Sequence, residues 1–134
     1  MNRFLFTGRL ADKPQSKTHG ETIVTTFRLI RNEYAGQTEG GERKERVVAI
    51  PFVMFGPRGQ VIGTRALTGD QLIIEATIRN NHYTVGDEER YGYDFVAEDF
   101  DFGAPGREHR AAVSEAEHGW SQSTAGTESM GAKP

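Results

Sequence analysis

Only one stretch of this chain carries the spacing of a buried helix. In Gly59–Leu67 the apolar residues Val61, Ile62, Ala66 and Leu67 recur at intervals that share one helical face, and Gly69 stops the pattern. Every other apolar run is strand-like. Asn2–Leu10 is apolar and aromatic, interrupted by Gly8 as a bulge or bend would interrupt it. Thr22–Arg31 (TIVTTFRLIR) sets Thr25, Phe27 and Leu29 on one side and Thr26, Arg28 and Ile30 on the other. Arg46–Phe55 (RVVAIPFVMF) makes a third strand, with Pro51 suiting an edge position or a bulge. Leu72–Thr84 and Arg90–Phe102 follow the helix and are joined by VGDEE. Ala11–Glu21 and the glycine-rich, charged Asn32–Glu45 read as loops.

Three strands, one short helix between the third and fourth, then two strands is the order of the OB-fold, an all-β, five-stranded Greek-key barrel. A β-sandwich needs about seven strands, and nothing supplies the others. A length of 134 residues suits one domain with a real core. That domain is expected over residues 1–102. Residues 103–134 are rich in Gly, Ala, Ser and Glu and hold too few large apolar side chains to offset their ordering entropy. They read as a disordered C-terminal tail, with Arg107–His118 as a transient helix at most.

Composition removes several function classes. The chain has no cysteine, so disulfides, thiolate metal sites and cysteine nucleophiles are excluded. MNRFLFTGRL is not a signal peptide, and no apolar run reaches the roughly 18 residues of a membrane span, so a soluble, intracellular protein is expected. His19, His82, His109 and His118 are scattered; His109, Glu117 and His118 are better read as solvated tail residues than as a zinc site. The glycines of GPRGQVIG lack the phosphate-cradle pattern and are explained by a turn before the helix. No catalytic constellation, metal site or cofactor motif emerges, and the chain does not read as an enzyme.

The net charge of −3 divides unevenly. Residues 1–86 hold 12 Lys/Arg against 8 Asp/Glu, which is +4, whereas residues 87–102 hold one Arg against seven acids, which is −6. The first part can therefore present a cationic surface. On the fourth strand, period 2 puts Leu72, Ile74, Ala76 and Ile78 on a buried face. The opposite face carries Ile73, Glu75, Thr77, Arg79, Asn81 and Tyr83 beyond the end of the apolar run. A cation, an amide and an aromatic ring in line suit single-stranded nucleic acid, whose bases offer π-faces and whose phosphates offer charge.

Taken together, NRFLFTGRLADKP, TTFRLIRN, VVAIPFVMFG, GDQLIIEATIRNNHYT and YDFVAEDFDF resemble, in order and spacing, the strands of the bacterial single-stranded DNA-binding protein (SSB) family over about residues 2–102. The resemblance implies sequence-independent binding and protection of single-stranded DNA in replication, recombination, repair or transfer. It also implies a homo-oligomer, a tetramer above all, in the bacterial cytoplasm at the nucleoid. The family's stacking aromatics fall on Tyr34, Phe55 and Tyr83, and its usually basic positions fall on Arg3, Arg79 and Asn81; Arg28, opposite the core side of the second strand, is expected as a further phosphate contact. A further stacking tryptophan of the family aligns with Ala49 and a basic position with Pro51, so both are lost here. Tyr91 and Tyr93 are assigned a structural role in the strand that closes the barrel. Family members end in an acidic, apolar tip that recruits replication and repair proteins; TESMGAKP departs from it, which suggests a divergent or accessory member and leaves Trp120 without a role. Two other readings share the fold: a primosomal replication-restart protein, and an interaction module without DNA binding.

Overall fold

The computed structural model describes the backbone from Met1 to Gly126 and side chains as far as Ala116. Its elements run β1 (Phe4–Leu10), β2 (Gln15–His19), β3 (Thr22–Gln37), β4 (Arg43–Phe55), α1 (Pro57–Arg65), β5 (Gln71–Val85), β6 (Glu88–Phe102) and α2 (Arg107–Gly126). The sheet order is β1-β5-β6-β4-β3-β2, and a further β1–β3 pairing closes it. This is the barrel that the strand order predicts, with one added strand.

Period-2 patterning decides which side chains enter the barrel. Phe27 and Leu29 of β3, Phe52 and Met54 of β4, and Leu72, Ile74 and Ala76 of β5 are all buried in one cluster. Phe4, Phe6, Phe27, Phe52 and Phe95 make successive ring contacts with centroids 5.3–6.3 Å apart. Phe27 and Phe52, the fully buried members, each contribute about 1.5–3 kcal/mol, and the partly buried Phe4, Phe6 and Phe95 pack against them. Helix α1 closes the barrel through Ile62, with Ala66 just past its end also buried. The guanidinium of Arg58 lies 4.9 Å from the Phe100 ring centre and donates to the Phe100 carbonyl, tying α1 to β6.

Gly8 marks where β1 changes partner. Phe4–Arg9 pair with β5, while Arg9 and Leu10 pair with β3. A Cβ at Gly8 would lie 2.8 Å from the Ile30 carbonyl oxygen and 2.8 Å from the Phe6 ring, so only glycine admits this approach.

Three expectations need correction. The polar segment Gln15–His19 is not loop but β2, paired with Thr22–Thr26 across a turn at Gly20 (φ 63°). Its residues are all exposed, so no apolar alternation marks it; Ser16 Oγ and Thr25 Oγ1, 2.8 Å apart, tie it to β3. The long loop expected at Asn32–Glu45 is instead an extension of β3 and β4, paired as far as Gln37↔Arg43 with a bulge between Tyr34 and Gln37. Ile78, expected in the buried row of β5, is exposed because β5 leaves the barrel there. Asn2 holds the strand at that exit: its Nδ2 donates to the Ile78 carbonyl (2.7 Å) and its Oδ1 accepts from the Ile78 N–H (3.0 Å).

After Phe102 the chain leaves the barrel, as expected of a tail, and only the first part of that segment is held against it. Gly103 and Ala104 exchange hydrogen bonds with Gln71, and the backbone from Arg107 to Gly126 is helical. Buried Asp70 anchors its start. The Asp70 carboxylate accepts from the Leu67 N–H (3.0 Å), the Gly106 N–H (2.8 Å) and His109 Nδ1 (2.7 Å). Trp120, the His118 and Glu117 side chains and the terminal TESMGAKP lie outside the described residues.

Two stability predictions follow from these contacts. Gly8→Ala is expected to destabilise the barrel by about 1–3 kcal/mol in chemical denaturation, since neither the Ile30 carbonyl nor the core can yield freely. Burial alone would raise the Asp70 pKa, but the hydrogen bonds from Gly106, His109 and Leu67 outweigh it and hold it below the ordinary 3.8. A carboxylate whose pKa is depressed on folding stabilises fully above its unfolded value and loses that contribution as pH falls through the folded value. Asp70→Asn should therefore cost about 1–3 kcal/mol at pH 7. The gap from wild type should narrow in melts taken below about pH 4.

Candidate nucleic-acid interface

Beyond the barrel, the chain continues as two hairpin arms. Residues 31–46 form the β3–β4 arm, and residues 79–94 form the β5–β6 arm, which turns at Gly86 (φ 63°). The arms diverge because β4 and β6 pair, in parallel, at Val53↔Val96 alone.

Register then fixes which side chains share a face. Along the β3–β4 ribbon, from the barrel out into the arm, the pairs Val24↔Phe55, Arg28↔Pro51, Ile30↔Ala49 and Tyr34↔Glu45 all project outward. Phe55, Arg28 and Tyr34 thus lie in one line. Between the levels of Phe55 and Tyr34 run ten residues of β3, up to about 33 Å at the usual strand rise. On the β5–β6 arm, Arg79, Asn81 and Tyr83 share the outward face, with Arg79 opposite Asp94. Arg28/Pro51 and Arg79/Asp94 each lie two residues before the Val53↔Val96 pair, at the same level on opposite banks of the divergence. Arg3 is apart from both arms. It sits just before β1, across β5 and β6 from β4.

The aromatic positions are open to solvent: Tyr34 is 58% exposed, Phe55 50% and Tyr83 48%. Arg43 covers one approach to Tyr34, its guanidinium 5.1 Å from the ring centre. The polar positions are already engaged. Arg28 pairs with Asp12 (3.2 Å), Arg79 with Glu98 (3.3 Å) and Arg3 with Glu75, while Asn81 donates to Asp94 (3.1 Å). Among the described residues Lys13, Lys17, Lys44, Arg46 and Arg65 make no ion pair.

Between the banks lies a groove of about 690 Å³. It is lined by Asp12, Lys13, Arg28 and Pro51 on one side and by Tyr93, Asp94 and Phe95 on the other. Sequence reasoning missed Asp12, Lys13 and Tyr93. Tyr91 and Tyr93, expected to be structural, are 75% and 69% exposed, because β6 enters the core only at Phe95, after passing them. The signal was present: period 2 extends the Phe95 row outward to Tyr93 and Tyr91. Among the described residues no cluster of His, Cys, Asp and Glu suits a metal ion, and no helix is long and apolar enough to cross a membrane.

A Greek-key barrel closed by one parallel pair, with two hairpin arms opening beside it, is an OB-fold. The chain belongs to the single-strand binding protein family, whose model matches residues 1–103. It is 30% identical over 101 residues to the single-stranded DNA-binding protein of Xylella fastidiosa, covering 74% of this chain and 61% of that protein. To the protein of the same name from Xanthomonas campestris pv. campestris it is 29% identical over 99 residues, covering 72% and 57%. The chain thus spans about three fifths of the length of these curated relatives. In structure it superposes on a Plasmodium falciparum SSB in complex with ssDNA with a TM-score of 0.66 at 18% identity, covering 77% of this chain and 95% of that one. A deletion mutant of the single-stranded DNA binding protein from Thermus aquaticus gives 0.67 at 18% identity, covering 81% and 53%. At that identity these two matches establish the fold.

Proposed function

We propose that this chain binds single-stranded DNA without sequence preference and without catalysing a reaction. The observation that carries the reading is the register: it lines exposed Phe55, Arg28 and Tyr34 along the β3–β4 ribbon and Arg79, Asn81 and Tyr83 along the β5–β6 arm. Bases stack on the rings for about 1–3 kcal/mol each, and phosphates meet the guanidinium groups. Arg28 and Arg79 are each held by one exposed carboxylate, a pairing worth about 0–1 kcal/mol, so phosphate exchange is cheap. Arg3 is a peripheral backbone contact in this reading. The relatives' names and their bacterial sources support the same setting, the bacterial cytoplasm at the nucleoid, in replication, recombination, repair or transfer.

The assembly belongs to the proposal too. Leu5 and Ile73 are exposed beside each other on the outer face of β1 and β5, an apolar surface that suits self-association into a homo-oligomer, a tetramer by family likeness.

Fluorescence titration of labelled oligo-dT and of a matched duplex, at two salt concentrations, tests the reading. Wild type should prefer the single strand and weaken with salt. Phe55→Ala/Tyr83→Ala should lose at least about tenfold. Equal affinity for the duplex, or an unaffected double variant, would sink the stacking surface. No binding at low salt would favour an interaction module, with Leu5 and Ile73 as its contact.

The ion pairs give a second prediction in the same assay. Arg28→Gln should weaken binding and flatten the log–log salt slope by about 0.7, the value for one phosphate on a single strand. Asp12→Asn should do the reverse, tightening binding by about two- to fivefold at low salt as Arg28 is freed.

A further inference from the structure

We infer that the seam where β4 and β6 part is a nucleobase site whose stacking platform is Tyr93; the inference rests on the single-stranded DNA reading above. The seam exists because Val53↔Val96 is the one pair joining these strands, so the groove beside it is open. Its volume of about 690 Å³ is in the range that takes a nucleotide-sized ligand.

Its chemistry is divided as a nucleotide is divided. Arg28 and Lys13 supply positive charge on one bank, and Tyr93 supplies a π-face on the other, with Pro51 and Phe95 as apolar lining. Asp12 pairs with Arg28 and Asp94 accepts a hydrogen bond from the Asn81 amide. A phosphate on the first bank meets Lys13 and the Arg28 guanidinium, in exchange for Asp12, and the base it carries reaches Tyr93.

The tyrosines of this arm differ in availability. Tyr91 stacks on His82 with ring centres 4.6 Å apart, and its hydroxyl donates to Glu89 at 3.0 Å. Tyr83 faces away on the other side of the arm, because it pairs with Arg90 while Tyr93 pairs with Asn80. Tyr93 has no ring partner and no side-chain hydrogen bond among the described residues, and it lines the groove. The arm thus offers aromatic surface on both faces. Where β4 carries the small Ala49 and the ring of Pro51, the opposite bank supplies the aromatic group.

The test compares wild type, Tyr93→Ala and Tyr93→Phe for binding to a labelled oligo-dT of about 15 nucleotides, within the site size of one OB-fold. Loss of one stacked base should weaken Tyr93→Ala by about 5- to 150-fold, leave the salt slope unchanged and leave Tyr93→Phe near wild type. Because the side chain is exposed, the melting midpoint of each variant should match wild type. Photo-cross-linking of a 5-iodouracil-substituted oligo-dT to the unmutated protein should place a cross-link on Tyr93. If wild type binds and Tyr93→Ala binds within about twofold of it, the seam is not a base site while the wider reading stands. A complex that cross-links elsewhere and never at Tyr93 has the same meaning. A change in the light-scattering mass of Tyr93→Ala with unaltered affinity also overturns the inference, making the seam a contact between copies. Failure of wild type to bind any single strand overturns the function reading itself.

Discussion

The architecture turns on a single parallel pair, Val53↔Val96. Without it β4 and β6 would be the two edges of an open sheet, and Phe52 and Phe95 would lose the ring contact that spans them. With a longer ladder the strands would stay together and no groove would form. One pair closes the core and still lets the hairpins separate. The open groove is therefore a by-product of how the barrel closes, and the arms beyond it carry side chains that no core requirement has selected.

How much of this is legible in the sequence follows from burial. Thr25/Phe27/Leu29 and Leu72/Ile74/Ala76 alternate because one face of each strand meets the core, and both rows are found where the alternation puts them. The outer half of the β3–β4 arm has no buried face, so its glycines and charges read as a loop, and β2 is silent for the same reason. Gly59–Leu67 is right about the existence of α1 but two residues late, since Pro57 opens the helix and Ala66 ends it.

The candidate site divides in the same way. Parity along one strand suffices to group Arg79, Asn81 and Tyr83, or Phe55 with Pro51, because a face is a local property. That Arg28 and Arg79 stand level across a groove needs the β4–β6 register, which no local pattern encodes. Nor does the sequence tell that Asp12 and Glu98 hold these arginines, since each ion pair joins residues from different strands or loops. Tyr93 was overlooked because its strand was assumed to stay in the core; two residues on, Phe95 does.

The anchoring of the C-terminal segment by Asp70 gives the molecule two poles. Asp70 directly precedes β5 and Gly103 directly follows β6, so α2 departs from the end of this ribbon opposite to the Gly86 turn. Some fifteen residues of β5 separate the two ends, up to about 50 Å at the usual rise. The start of α2 is thus fixed to the barrel at the end away from the Gly86 turn, so the Asp70 anchor and the outward rows of the arms share no residue.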